Sequence, residues 1–141
     1  MMVIGLDHAL AQLAATLAFA DVPATACRIL LFSEVSAATG STPAGAPPLA
    51  SIELAKPCGT IAGGVLSLSP AEPGGALVMQ TGVPRAAHWL RGDGVLVAAG
   101  TVTDSDNGGD FVVAGAATAP GETSPTLYAG GKVLLGAVAL T

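Results

Sequence analysis

Three groups of residues are of types that could do chemistry. Asp104, Asp106 and Asp110 flank Gly108 and Gly109, and the run resembles a calcium loop, in which a hard cation gathers carboxylate oxygens from alternate positions around a glycine turn. The match is partial. Counted from Asp104, the place of the bidentate glutamate falls on Gly115, between Ala114 and Ala116, and no helical pattern flanks the run. A solvated hairpin turn is the expected reading. His8 and His88 are the only histidines, and neither has a second His or a Cys at metal-ligand spacing. Catalysis by His88 would need folding to bring up a partner such as Asp93 or Cys58. Cys27 and Cys58 could pair, but a chain with enough apolar residues for a core needs no staple, so both are expected as reduced thiols packed like small hydrophobes. Trp89, the sole tryptophan, is expected in or partly in the core of a sheet, with an interface anchor or a sugar-stacking platform as the alternative. Neither G-x-x-x-x-G-K-[ST] nor G-x-G-x-x-G is present, so the glycine runs read as turns. No catalytic residue, cofactor or metal is expected from these groups.

The elements that would position these residues begin with a helix. Asp7 can cap it, Leu10, Leu13 and Leu17 recur at helical spacing, and Pro23 stops it, which predicts a helix over about 8–19. Its apolar stripe must be covered by the rest of the chain or by a partner. Beyond Pro23 the pattern becomes strand-like, starting with Cys27 to Phe32. Gly40 to Pro48, which includes Pro43 and Pro47, reads as an exposed loop. Alternation over Ser51 to Leu54 places Ile52 and Leu54 on one sheet face and Glu53 on the other, and Val65 to Ser69 alternates likewise with Leu66 and Leu68 inward. Ala76 to Met79, Arg85 to Arg91, Val95 to Val97, Phe111 to Val113 and a last strand from Lys132, extending toward Leu140, complete the set. Gly92-Asp93-Gly94 gives the clearest hairpin. About eight short strands after one N-terminal helix predict a mainly β domain over 1–141, an antiparallel β-sandwich or jelly roll.

Composition narrows the function classes. Of 141 residues 11% are charged, and the formal net charge is −5 with only 5 Lys and Arg. Binding to a phosphate backbone needs clustered cations, so nucleic acid is not an expected partner. The apolar region Leu6 to Ala20 is interrupted by Asp7, His8 and Gln12 and falls short of a clean membrane span. Ala24 to Cys27 has the small residues of a signal-cleavage site, but no Lys or Arg precedes Arg28, so a cleaved leader is not expected.

The order of segments resembles a family of small virion-associated proteins of tailed bacteriophages and prophages. The matching pieces are Leu6 to Leu10, Arg28 to Phe32 leading into the Thr/Pro/Gly loop, Leu49 to Leu54, and Ala62 to Leu66. Ala87 to Gly94 and Tyr128 to Val133 complete them. The resemblance implies a non-enzymatic β-sandwich or jelly-roll protein made in the host bacterial cytoplasm and built into the virion. The expected role is a capsid decoration or cement protein that contacts the major capsid protein or other virion proteins as a homo-oligomer, dimer or trimer. A phage tail or host-surface carbohydrate-binding module is the alternative. The expected partner contacts are Leu10, Leu13 and Leu17 of the helix, Pro43 and Pro47 of the loop, and Trp89.

Overall fold

Leu10, Leu13, Leu17 and Ala20 fall on one stripe of a helix, and the chain winds into α1 over Leu6–Ala20. The helix starts two residues before the expected point. Gly5 is its N-cap and makes no side-chain capping bond, while Asp7 lies in the first turn, where a carboxylate meets the positive end of the helix dipole. The computed structural model describes residues 2–35, 39, 47–136 and 138–140. After α1 come β1 (Arg28–Phe32), β2 (Ala50–Ala62), β3 (Val65–Pro70), β4 (Ala76–Leu77), β5 (Ala86–Leu90), β6 (Leu96–Thr103), β7 (Phe111–Ala114), β8 (Lys132–Leu135) and β9 (Ala139–Leu140). A mainly β chain with one N-terminal helix is thus what forms.

The strands make one mixed sheet in the order β4-β8-β7-β6-β5-β1-β2-β3-β9, not two stacked sheets. The long β2 is the reason. Its Ala50 to Glu53 part pairs with β1, Leu54 and Gly59 to Ala62 pair with β3 with a register shift between them, and one continuous strand thereby joins the two. A bulge of this kind bends a strand and sharpens its twist. The sheet consequently curls until its far edge returns: Val78, next to β4, bridges to Ala50 at the start of β2, and Met79 N–H donates to Leu49 O at 2.8 Å. The β2–β3 hairpin turns on Gly63 and Gly64, at φ 59° and 78°, the left-handed pair that a two-residue turn between twisted strands requires.

Parallel pairing of β6 with β7 is the one departure from antiparallel order among the named strands. The run Asp104 to Asp110 therefore joins parallel neighbours and not a hairpin. Side chains of the crossover and of β6 tie this short connection down. Asp110 Oδ2 accepts from Thr101 N–H and the Thr101 hydroxyl, and Thr103 Oγ1 accepts from Gly109 N–H at 2.7 Å. The expected final strand breaks in two at Gly136, whose N–H donates to Val112 O; β8 stays with β7 and β9 crosses to β3.

Inward residues fill one main core. Ile29, Leu31, Ile52, Leu54, Leu66, Trp89, Val113 and Val133 belong to it, and alternation leaves Glu53 exposed between Ile52 and Leu54. Leu13 and Ala20 complete the core from α1, which packs against β2, β3 and β6.

Candidate functional site

The helical stripe expected to meet a partner faces its own chain. Leu13 is buried in the main core, Leu17 packs against that core, and Leu10 is half-buried. Trp89 is also interior, at 3% exposure, with its ring covered by its own chain. It borders a cleft of about 160 Å³ lined by Leu66, Leu68, Ala98, Phe111 and Leu140, and its buried indole Nε1 makes no hydrogen bond among the described residues. Pro47 is exposed; Pro43, with most of the Gly40 to Pro48 loop, lies outside the described residues.

The acidic run is committed to its own turn. Asp104 Oδ1 accepts from Asp106 N–H and the Asn107 amide, and Oδ2 accepts from the Thr118 hydroxyl at 2.6 Å. Hydrogen bonds from Thr118 and Asn107 hold this carboxyl below the usual aspartate value, against a smaller opposing effect of desolvation. Asp110 serves Thr101 instead. His88 is buried beside the Phe32 ring, with centroids 5.0 Å apart. As the strand neighbour of inward-facing Trp89 it points to the opposite sheet face, away from the core that holds Cys58. Asp93 is engaged with Arg91 at 2.7 Å.

A constellation that sequence spacing did not reveal lies where α1 ends. Asp21, the helix C-cap, donates its N–H to Leu17 O, and its carboxylate oxygens accept from Cys58 N–H at 3.1 and 3.3 Å. Cys27, just before β1, is 1% exposed and Cys58, within β2, is 0% exposed. The two sulfurs and an Asp21 oxygen all lie within 4.8 Å of one another. Burial first, then the neighbouring Cys27 and the Asp21 carboxylate, push the Cys58 thiol well above the usual range. Lys56 fastens the rim: its ammonium donates to Asp21 O at 2.8 Å and Pro23 O at 2.6 Å, and stands 3.9 Å from Asp21 Oδ1. Cys27 and Cys58 are thirty residues of intervening chain apart, and Asp21 carries no local motif, so only the pairing of β1 with β2 brings the three together.

Exposed apolar residues lie elsewhere, among them Leu77, Met79 and Tyr128 on the sheet side and residues at both ends of α1. Met2, Val3, Ile4 and Leu6 are 94%, 82%, 52% and 69% exposed, leading into the free end of α1. At the other end of the helix Phe19 and Val22 are exposed, with the Arg91 guanidinium 4.6 Å over the Phe19 ring. Comparison with protein families, curated proteins and solved structures finds no match for this chain.

Proposed function

We propose that the chain is a non-enzymatic assembly protein of a tailed-phage particle, a decoration protein that reinforces the head by binding repeated sites on the major capsid protein. The observation that carries this reading is the run Met2, Val3, Ile4 and Leu6, four large apolar side chains left in water within five residues. Covering such a side chain fully contributes about 1.5–3 kcal/mol, part of which offsets the freedom lost on association. A lattice that presents the same site many times turns a modest contact into high occupancy. The low charge density, 11% of residues, and the resemblance in segment order support the same reading. Self-association as a dimer or trimer would match the symmetry of such a lattice.

The carbohydrate-binding alternative has less support, since Trp89, although it borders a cleft, is only 3% exposed. The test is a triple variant, Val3→Asp, Ile4→Asp and Leu6→Asp, in the genome that encodes the protein. These side chains touch water, so circular dichroism should be unchanged while copy number in purified particles falls at least tenfold and the heads lose heat resistance. Wild-type copy number in the variant would sink the proposal.

A further inference from the structure

We propose that Asp21, Cys27 and Cys58 bind a zinc ion, which fastens the end of α1 to the sheet. Three independent features support this site. First, its geometry is close to what the ion needs: zinc–sulfur bonds of about 2.3 Å at a tetrahedral centre put two sulfurs about 3.8 Å apart. The donor atoms here already lie within 4.8 Å of one another, so shifts within about an ångström close the site.

Second, the donor set selects the ion. Two thiolates with one carboxylate suit zinc, whereas calcium and magnesium require oxygen throughout. The charges also balance. Two thiolates and a carboxylate bring three negative charges, Zn2+ cancels two, and the Lys56 ammonium, 3.9 Å from Asp21 Oδ1, cancels the third. Lys56 is itself fixed by the carbonyls of Asp21 and Pro23, so the compensating charge is in place beforehand.

Third, the supports are rigid. Cys58 N–H orients the Asp21 carboxylate, and Cys27 O accepts from Leu54 N–H at 2.9 Å, which ties its backbone to β2. Hydrogen bonds that fix a ligand from behind in this way hold it in place and raise metal affinity. The ion enters past Asp21, whose side chain is 18% exposed, and a water on that side completes the tetrahedron. On binding, the Cys27 thiol gives up its 3.0 Å hydrogen bond to Ala20 O, the two S–H bonds break, two Zn–S bonds form and both protons leave to solvent; no electron is transferred. A disulfide is the competing fate of two close thiols, but exchange requires an incoming disulfide to reach a sulfur, and these are 1% and 0% exposed.

The test uses the full chain, reduced and stripped with a chelator, then titrated with Co2+ and with Zn2+. One Co2+ per chain should bind with sulfur-to-cobalt charge-transfer absorption, and Zn2+ should displace it. At a hundredfold excess over Kd, Zn2+ should raise Tm by roughly 5–10 °C. Cys27→Ser and Cys58→Ser should each abolish the charge-transfer band, and Asp21→Asn should weaken binding at least tenfold while keeping it. Because the wild-type titration stands alone, failure of a variant to fold leaves the test decisive. Absence of the band in folded wild-type protein, a band that survives in both serine variants, or a Cys27–Cys58 disulfide that forms in air despite added Zn2+ would each overturn the proposal. A positive result here says nothing for or against the capsid reading, which the copy-number experiment decides separately.

Discussion

Replacing Leu13 with alanine separates a helix that belongs to the core from one laid on it for a partner's use. Leu13 is 5% exposed and is the one large side chain of α1 that is fully buried. Leu13→Ala removes three carbons, about 2.4 kcal/mol at roughly 0.8 kcal/mol each. The backbones of α1 and of the strands facing it are set by their own hydrogen bonds, so the site collapses only in part and a cavity term adds to the loss. A total of about 3 kcal/mol is expected, within the range that buried leucine truncations cover. Leu10→Ala, at a half-buried position, is expected to cost less than about 1.5 kcal/mol, from the same per-carbon figure scaled by its exposure. Urea unfolding followed by circular dichroism measures both. The midpoint of Leu13→Ala should drop with the slope unchanged, since the surface exposed on unfolding is nearly the same. Equal and small losses, both under about 1 kcal/mol, would show that α1 does not complete the core, and would restore its stripe to the set of partner contacts.

Two further outcomes follow from close contacts elsewhere. A Cβ at Gly92 would run into Thr25 O and sit 2.6 Å from Thr25 C, both backbone atoms, so Gly92→Ala must part the 91–96 turn from the segment after α1 and should cost about 1–3 kcal/mol. Gly74→Ala, with nothing within 4 Å, is the control; thermal melts that do not distinguish the two would contradict the packing. Asp104, held below its usual value of 3.8 chiefly by Thr118 and Asn107, should keep the 104–110 crossover ordered above that pH. A lowered folded pKa means the contribution is complete above the unfolded value and fades as pH falls through the folded one, so amide exchange across the crossover should quicken only below about pH 4. Thr118→Val removes the largest cause, and the Asp104 carboxyl, followed by NMR titration, should move up toward 3.8; an unmoved titration would refute the assignment.

Much of the placement of strands and turns along the chain was legible because alternation and turn chemistry act locally, while the order of the strands in the sheet was not. Ile52 and Leu54 against Glu53, the Gly92 to Gly94 hairpin, and the stop at Pro23 all depend on neighbours within a few residues. The parts that were not legible depend on distant ones. No local pattern distinguishes a hairpin from the parallel crossover at Asp104 to Asp110, because the same Asp, Asn and Gly residues satisfy backbone groups in either. The curl of the sheet turns on the register shift inside β2, where Pro57, which has no N–H to give a ladder, was the one local signal. Leu10, Leu13 and Leu17 did announce an apolar stripe, yet periodicity states only that the stripe must be covered and is silent about what covers it. Asp21, Cys27 and Cys58 form a cluster only after β1 and β2 pair, so their spacing in sequence carries no signal.

The two ends of α1 differ in a way that bears on the proposed docking to a capsid. At the C-terminal end the chain is fastened by Cys58 N–H on Asp21, by Lys56 on the carbonyls of Asp21 and Pro23, and by Arg91 over Phe19. At the N-terminal end the side chains of Met2, Val3, Ile4 and Leu6 stand in water. An apolar segment carried on a helix anchored at its far end keeps much of its orientation before it docks, so less freedom is lost when it does. The division also separates two properties that are usually entangled. Substitutions at Val3 and Ile4 alter what the surface offers while leaving the core contacts of Leu13 and Ala20 intact, and substitutions at Asp21 or Lys56 loosen the anchor without touching the exposed residues. If the anchor matters for docking, Lys56→Met should weaken particle incorporation with Met2 to Leu6 unchanged. Full incorporation of that variant would mean that the apolar segment docks without help from the helix that carries it.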